Sequence, residues 1–240
     1  MKKGIKLIPI IILAVSVFYL SFSNKSVISQ VATQSNGNKA EEILAKLTLD
    51  QKIGQLIIGG FNGTKLNNET KNLISQYYIG GFNFLERNIG NAKQTKSLVG
   101  EMQKLARQYQ SLPLFTAIDQ EGGQVIRIKY LKELSAQSKI KTAIEAERVA
   151  IARGKELKSL GFNMIFSPLL DYVTSSKSYL YARSFKTTPD KIKILGGAMV
   201  QGYQKSGLVP VAKHFPGHGN AVSDPHKSQK ITNTEKNIKI

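Results

Sequence analysis

Between residues 40 and 217 the chain alternates short apolar runs with stretches whose apolar positions recur at helical spacing. Helical patterns over Glu41–Leu47, Glu69–Tyr77, Ala92–Gln110, Ile144–Leu160 and Asp190–Lys205 precede apolar runs at Ile53–Phe61, Ile79–Leu85, Leu114–Asp119, Phe162–Asp171 and Val209–Gly217. Five buried-type strands, each with a helical segment before it, predict a parallel α/β architecture. Functional groups in such folds gather where strands end and the following loops begin, so the carboxyl ends of the five runs are where chemistry is expected.

The N-terminal part follows a different pattern. Lys2, Lys3 and Lys6 precede a run from Leu7 to Phe22 without charge, the arrangement of an n-region and an h-region. Ser21-Phe22-Ser23 places small residues at signal-peptidase spacing, with cleavage expected near Asn24 and an uncleaved anchor as the alternative. Residues 1–23 are thus expected to be a signal peptide or membrane anchor and 24–39, rich in Ser, Asn, Gln and Thr, a linker, with the fold occupying 40–240. The protein is expected to be secreted or attached to the cell envelope.

Composition removes whole classes of chemistry. The 240 residues include no cysteine, which excludes disulfides, thiolate nucleophiles, Cys-ligated zinc and iron–sulfur sites, and leaves catalysis to oxygen and imidazole groups. The formal net charge of +18 raises the question of a polyanionic partner. Residues 1–40 hold five lysines and no acid, and 227–240 hold four lysines against Glu235. Elsewhere the lysines are scattered, as at Lys129, Lys132, Lys139 and Lys141, with no basic run interleaved with aromatics and no recognition-helix pattern. No nucleic-acid partner is expected; a basic solvated surface, suited to an anionic envelope, is.

Three strand ends carry candidate chemistry. The third run ends in Asp119-Gln120-Glu121-Gly122-Gly123 and continues to Arg127. Asp119 could bind the hydroxyls of a polyol, Arg127 could grip an acyl or carboxylate oxygen, and the glycines could let backbone approach a ligand. The purely structural alternative is that Asp119 or Glu121 caps a helix and the glycine pair makes a turn. After the fourth run, Ser167-Pro168-Leu169-Leu170-Asp171 leads through a Ser-rich loop to Arg183-Ser184-Phe185, where Arg183 could reach the same ligand or pair with Asp171 or a helix C-terminus. The fifth carries Lys213-His214-Phe215-Pro216-Gly217-His218-Gly219 followed by Asp224-Pro225-His226, and so all three histidines of the chain. Asp224, two residues from His226, could hold one ring nitrogen and leave the other to exchange a proton near neutral pH. The alternative use of His214, His218, His226 and Asp224 is as zinc ligands, against which Lys213 would place a positive charge beside the cation.

These segments together resemble glycoside hydrolase family 3, in its β-N-acetylhexosaminidase branch. Lys213–Gly219 with Asp224 and His226 looks like that branch's signature, Asp119–Arg127 like its strand-three motif, and Leu49–Phe61, Ile79–Asn88 and Arg183–Phe185 follow its spacing over roughly residues 43–230. The resemblance implies a (β/α)8 TIM-type barrel that binds a terminal N-acetylglucosamine with no metal or organic cofactor. Asp119, Arg127, Arg183, Lys213 and His214 would hold the sugar, and His226, oriented by Asp224, would be the proton donor of a retaining exo-β-N-acetylhexosaminidase acting on cell-wall fragments or related glycans.

The family's nucleophile is an aspartate on a later strand, and no residue here is assigned that role. The barrel is therefore expected to be truncated after about five strands, C-terminally incomplete, with a partner chain as one source of the remaining strands. A non-catalytic carbohydrate-binding fragment and a metal-dependent hydrolase are the alternative functions.

Overall fold

The computed structural model describes residues 39–224. They divide into two compact units, one running to Lys52 and the other from Ile53 onward. The first contains a helix over residues 39–46 (α1) and the start of α2 (Leu49–Gln55). Thr48 and Gln51 open α2 with a reciprocal capping box, Gln51 Oε1 accepting from Thr48 N at 2.9 Å and Thr48 Oγ1 from Gln51 N at 3.3 Å. That cap draws Ile53 into a helix, so the strand expected over Ile53–Phe61 shrinks to β1, Ile58–Gly59.

The second unit continues as α3 (Asn68–Ser75), β2 (Gly81–Phe84), α4 (Ala92–Tyr109), β3 (Phe115–Ile118), α5 (Ala143–Ser159), β4 (Met164–Ile165), α6 (Pro189–Lys205) and β5 (Val209–Pro210). Side chains at the N-caps start three of these helices: Asn67 accepts from Thr70 N, Asn91 from Gln94 N and Thr142 from Glu145 N. The strands form one sheet in the order β1-β2-β3-β4-β5, every neighbour parallel. A helix lies in each connection. Doubly wound sheets reverse strand order at a switch point, whereas uninterrupted sequential order is how the wall of a (β/α)8 barrel is laid down, so the fold is α/β of TIM-barrel type.

Strand alternation sends one set of side chains to the helices and the other to the opposite face. Phe82 and Phe84 of β2 join Phe61 and Phe162 in edge-to-face contacts with centroids 5.0–5.5 Å apart, the centre of the buried apolar core. Asn83, between them, lies on the other face. There it pairs in register with Ala117 of β3, one alternation before Asp119. Helices α5 and α6 approach each other through small residues: a Cβ on Gly202 would stand 2.6 Å from the Glu147 carbonyl oxygen.

Two expected strands end early. Phe162–Asp171 is strand only at Met164–Ile165, because Pro168 brings no N–H to a ladder. The Gln137 side chain replaces the missing neighbour, donating to Leu169 O at 2.6 Å and accepting from Leu169 N at 3.0 Å. Val209–Gly217 is strand only at Val209–Pro210, after which a single bridge joins Lys213 to Leu169. No described helix is long and apolar enough to cross a membrane. Of the expected leader and linker, residues 1–39, only Lys39 is described and it opens α1; residues 1–38 and residues 225–240, which include His226, lie outside the described residues.

Candidate active site

The loop after β3 is built from inside. Gln120, fully buried, accepts from Arg127 N at 2.8 Å and Ile128 N at 3.0 Å and donates to Ile128 O at 3.1 Å, closing the loop on itself. Gly122 and Gly123 turn the chain at φ of 81° and 60°. A Cβ on Gly122 would meet the Ser135 carbonyl oxygen at 2.1 Å, so this glycine serves loop packing, and the turn reading of the pair holds.

Beneath it lies Arg153 of α5, fully buried, donating to Glu121 O at 2.8 Å, Ser135 O at 2.7 Å and Tyr203 Oη at 3.1 Å. Arg153 is not among the strand-end candidates. Its signal is a basic residue on the stripe Ala146, Val149, Ala150, Arg153, Leu157, whose other members are apolar and buried.

Neither carboxylate of this loop caps a helix. Lys213 Nζ stands 2.6 Å from Asp119 Oδ1 and 2.6 Å from Glu121 Oε1. Arg183 grips Glu121 with both arms, Nε to Oε2 at 2.9 Å and Nη2 to Oε1 at 2.7 Å. Asp119 Oδ2 accepts from Asn83 Nδ2 at 3.2 Å. Burial pushes the Asp119 carboxyl up, but Lys213, Asn83 and the nearby charge of Arg127 outweigh it and hold the group below the usual carboxylate range. For Glu121 burial again pushes upward, and Arg183 with Lys213 prevails. Both are ionised at neutral pH.

The partner of Arg183 is therefore Glu121 rather than Asp171 or a helix end. Arg127 Nε, a donor, and Oδ1 of Asn83, an acceptor on the side chain that holds Asp119, are buried with no hydrogen-bond partner among the described residues. Asn83 likewise stands outside the candidate residues, although it is the one polar residue in the run Ile79–Leu85.

The loop after β5 is organised by one carboxylate. Asp171, with a fully buried side chain, accepts from His214 N at 3.0 Å and His218 N at 2.6 Å, and its Oδ2 lies 2.7 Å from His214 Nδ1. Burial raises the Asp171 carboxyl, and the His214 and His218 contacts more than reverse this, leaving it below its usual value. The His214 and His218 rings meet edge to face at 4.5 Å, and Tyr179 meets His218 at 5.9 Å. The Tyr179 hydroxyl is buried with no partner among the described residues, and burial pushes it up to about 12.

Asp119, Arg127, Arg183, Lys213, His214 and Asp171 thus converge from three strand ends. Asp224 closes the described part of the last loop, and its charge is felt at Tyr179. His226 lies outside the described residues. Among the described residues no three His, Asp or Glu side chains are grouped to hold a metal ion.

Known proteins share the family and the fold. Residues 48–239 match the family model described as the glycosyl hydrolase family 3 N terminal domain. Beta-hexosaminidase A of Pseudoalteromonas piscicida is 39% identical over 173 residues, covering 68% of this chain and 29% of that protein. Among solved structures, a family 3 beta-N-acetylglucosaminidase from Paenibacillus sp. str. FPU-7 superposes with a TM-score of 0.71 at 36% identity, over 75% of this chain and 35% of that one. NagZ from Neisseria gonorrhoeae, in complex with N-trifluoroacetyl-D-glucosamine, gives 0.61 at 28% identity, over 69% and 52%. The chain spans between about a third and half the length of these relatives. With its sequential parallel strands and its charged cluster at their carboxyl ends, the chain belongs to glycosyl hydrolase family 3.

Proposed function

We propose that the protein is a retaining exo-β-N-acetylhexosaminidase that removes terminal N-acetylglucosamine from cell-wall fragments or related glycans outside the cytoplasm. One observation carries the binding half of this reading. An ionised, partly exposed Asp119 sits at a strand's carboxyl end against Lys213 and Asn83 and feels the charge of Arg127, an acceptor among donors that suits the hydroxyls of a sugar. In this reading Asp119, Arg127, Lys213 and His214 contact the sugar. Arg183, whose Nε and Nη2 are taken by Glu121, keeps that carboxylate and through it Lys213 in place.

The names of the relatives support the reaction, and the Asp224–His226 pair supports the acid/base role. His226, as the imidazolium, gives its proton to the glycosidic oxygen while the nucleophilic carboxylate bonds to C1 and the C1–O bond breaks, which leaves the imidazole neutral for the second step. It then withdraws a proton from the water that releases the sugar. A neutral imidazole does this without setting a second negative charge beside the nucleophilic carboxylate. That nucleophile is not assigned to Asp119, Glu121 or Asp171, each of which is already bound to cations or backbone N–H groups. The uncharged run Leu7–Phe22 behind Lys2, Lys3 and Lys6 supports export.

The test is turnover of an aryl N-acetyl-β-glucosaminide by the full-length protein, alongside its His226→Ala variant. The expected loss in that variant is on the order of 10²- to 10⁴-fold in rate with sugar binding kept. Binding without turnover in the parent would replace this reading with a carbohydrate-binding function, and loss of turnover on chelation would replace it with a metal-dependent one.

A further inference from the structure

We propose that Asn83 is a specificity-determining residue of this site, its Oδ1 accepting a hydrogen bond from one hydroxyl of the bound sugar while its Nδ2 holds Asp119. The inference rests on the sugar-binding reading above and goes beyond it, since Asn83 is not among the residues to which that reading gives a role.

Asn83 interrupts an apolar strand between Phe82 and Phe84, both fully buried against the helices. The alternation of the strand sends the amide to the opposite face, level with Ala117 and beside Asp119. A strand residue that serves only the fold would be apolar on this face. An amide there needs partners for two donors and an acceptor.

Which way the amide points follows from its neighbour. Asp119 is ionised, so its Oδ2 can only accept, and the group 3.2 Å from it must be the NH2 of Asn83. The reverse orientation would set two oxygens against each other. Oδ1 is therefore the end left over, and it is buried without a partner among the described residues. Buried carbonyl oxygens with no donor are rare and unfavourable, and they are a common mark of a place that a ligand completes.

The chemistry of that ligand is constrained. It must bring a donor to Asn83 Oδ1 next to a carboxylate, which disfavours a phosphate or carboxylate ligand. Lys213 is already held at 2.6 Å by both Asp119 and Glu121. A hydroxyl fits, because it donates through hydrogen and can accept through oxygen at the same time. A site built to pair a hydroxyl discriminates strongly against the analogue that lacks it, because its own polar group is then left unpaired.

The experiment is calorimetric titration of the full-length protein with N-acetylglucosamine and its 3-deoxy, 4-deoxy and 6-deoxy analogues, repeated on Asn83→Leu and Asn83→Ala with thermal melts to confirm folding. The parent is expected to bind at least one deoxy analogue about tenfold more weakly than N-acetylglucosamine. The variants are expected to bind N-acetylglucosamine about tenfold more weakly and to lose the discrimination at one such position only. Uniform weakening toward all four sugars would make Asn83 a support for Asp119 alone and would overturn the proposal, as would unchanged affinities. A parent that binds none of the sugars would instead overturn the functional reading on which the proposal stands.

Discussion

The loops that follow β3 and β5 meet at the same carboxylates but are held by opposite means. The β3 loop is pinned at its backbone by buried side chains from beneath, Gln120 within it and Arg153 from α5, and a glycine with no room for a Cβ closes its turn. The β5 loop hangs on Asp171, which gathers two backbone N–H groups and one imidazole. At its glycine, Gly217, the nearest atom to an added Cβ would be Asp171 Oδ1 at 3.5 Å. The difference teaches that one side of the site is set by packing, whereas the other depends on a titratable group.

The largest expected effect separates the two carboxylates of the β3 loop. Glu121→Ala leaves the Arg183 guanidinium largely buried without its partner and should cost about 3–5 kcal/mol in chemical denaturation. Asp119→Ala leaves Lys213 its contact with Glu121 and should cost clearly less, while reducing sugar affinity more than any stability loss accounts for. Equal stability losses would mean that the two carboxylates share one structural role.

Next come the glycines. Gly122→Ala combines a left-handed backbone with a 2.1 Å clash against a carbonyl oxygen and should destabilise by about 2–3 kcal/mol. Gly217→Ala meets only the backbone penalty at φ 120° and should cost about 1 kcal/mol. Melting curves that ranked the two the other way would break the contrast between a packed and an open loop.

The dependence on pH is smaller and has a definite sign. Asp119, Glu121 and Asp171 all lie below their ordinary values when folded, so the unfolded chain takes up protons first as pH falls. Their contribution is complete above the ordinary carboxylate range, near 4, and is lost progressively as pH drops through the folded values. Stability measured from pH 7 down to 3 should fall, and Asp171→Asn should flatten the part of that fall owed to the β5 loop. An unchanged slope would show that Asp171 is not what the loop depends on.

Tyr179→Phe should do least, within about 0.5 kcal/mol of the parent or slightly stabilising, because it removes a buried hydroxyl that has no partner among the described residues. Destabilisation beyond about 1 kcal/mol in a thermal melt would reveal a hydrogen bond to that oxygen.

How the site was legible follows the same division. Asp119, Arg127, Arg183, Lys213 and His214 stood out because charged residues directly after apolar runs mark strand ends. Asn83 and Arg153 did not, because one polar residue in an apolar run and one arginine on an apolar helix stripe carry no meaning until their neighbours are known. The partner of Arg183 was open for the same reason: Glu121 lies 62 residues away in sequence.

The sequence by itself determined the alternation of helices and strands, their parallel class and the places where chemistry collects, since period, caps and turn residues are local properties. Thr48 and Gln51 belong to that class too, a capping box visible in four residues that sets Ile53 in a helix. Only the tertiary structure decided which carboxylate each cation serves, which loop is packed and which hangs on Asp171, and which amide oxygen is left without a donor. Those outcomes depend on distances between segments far apart in the chain, and burial sets their energies: the same Asp–Lys pair is weak in water and directs the site when both are shielded from it.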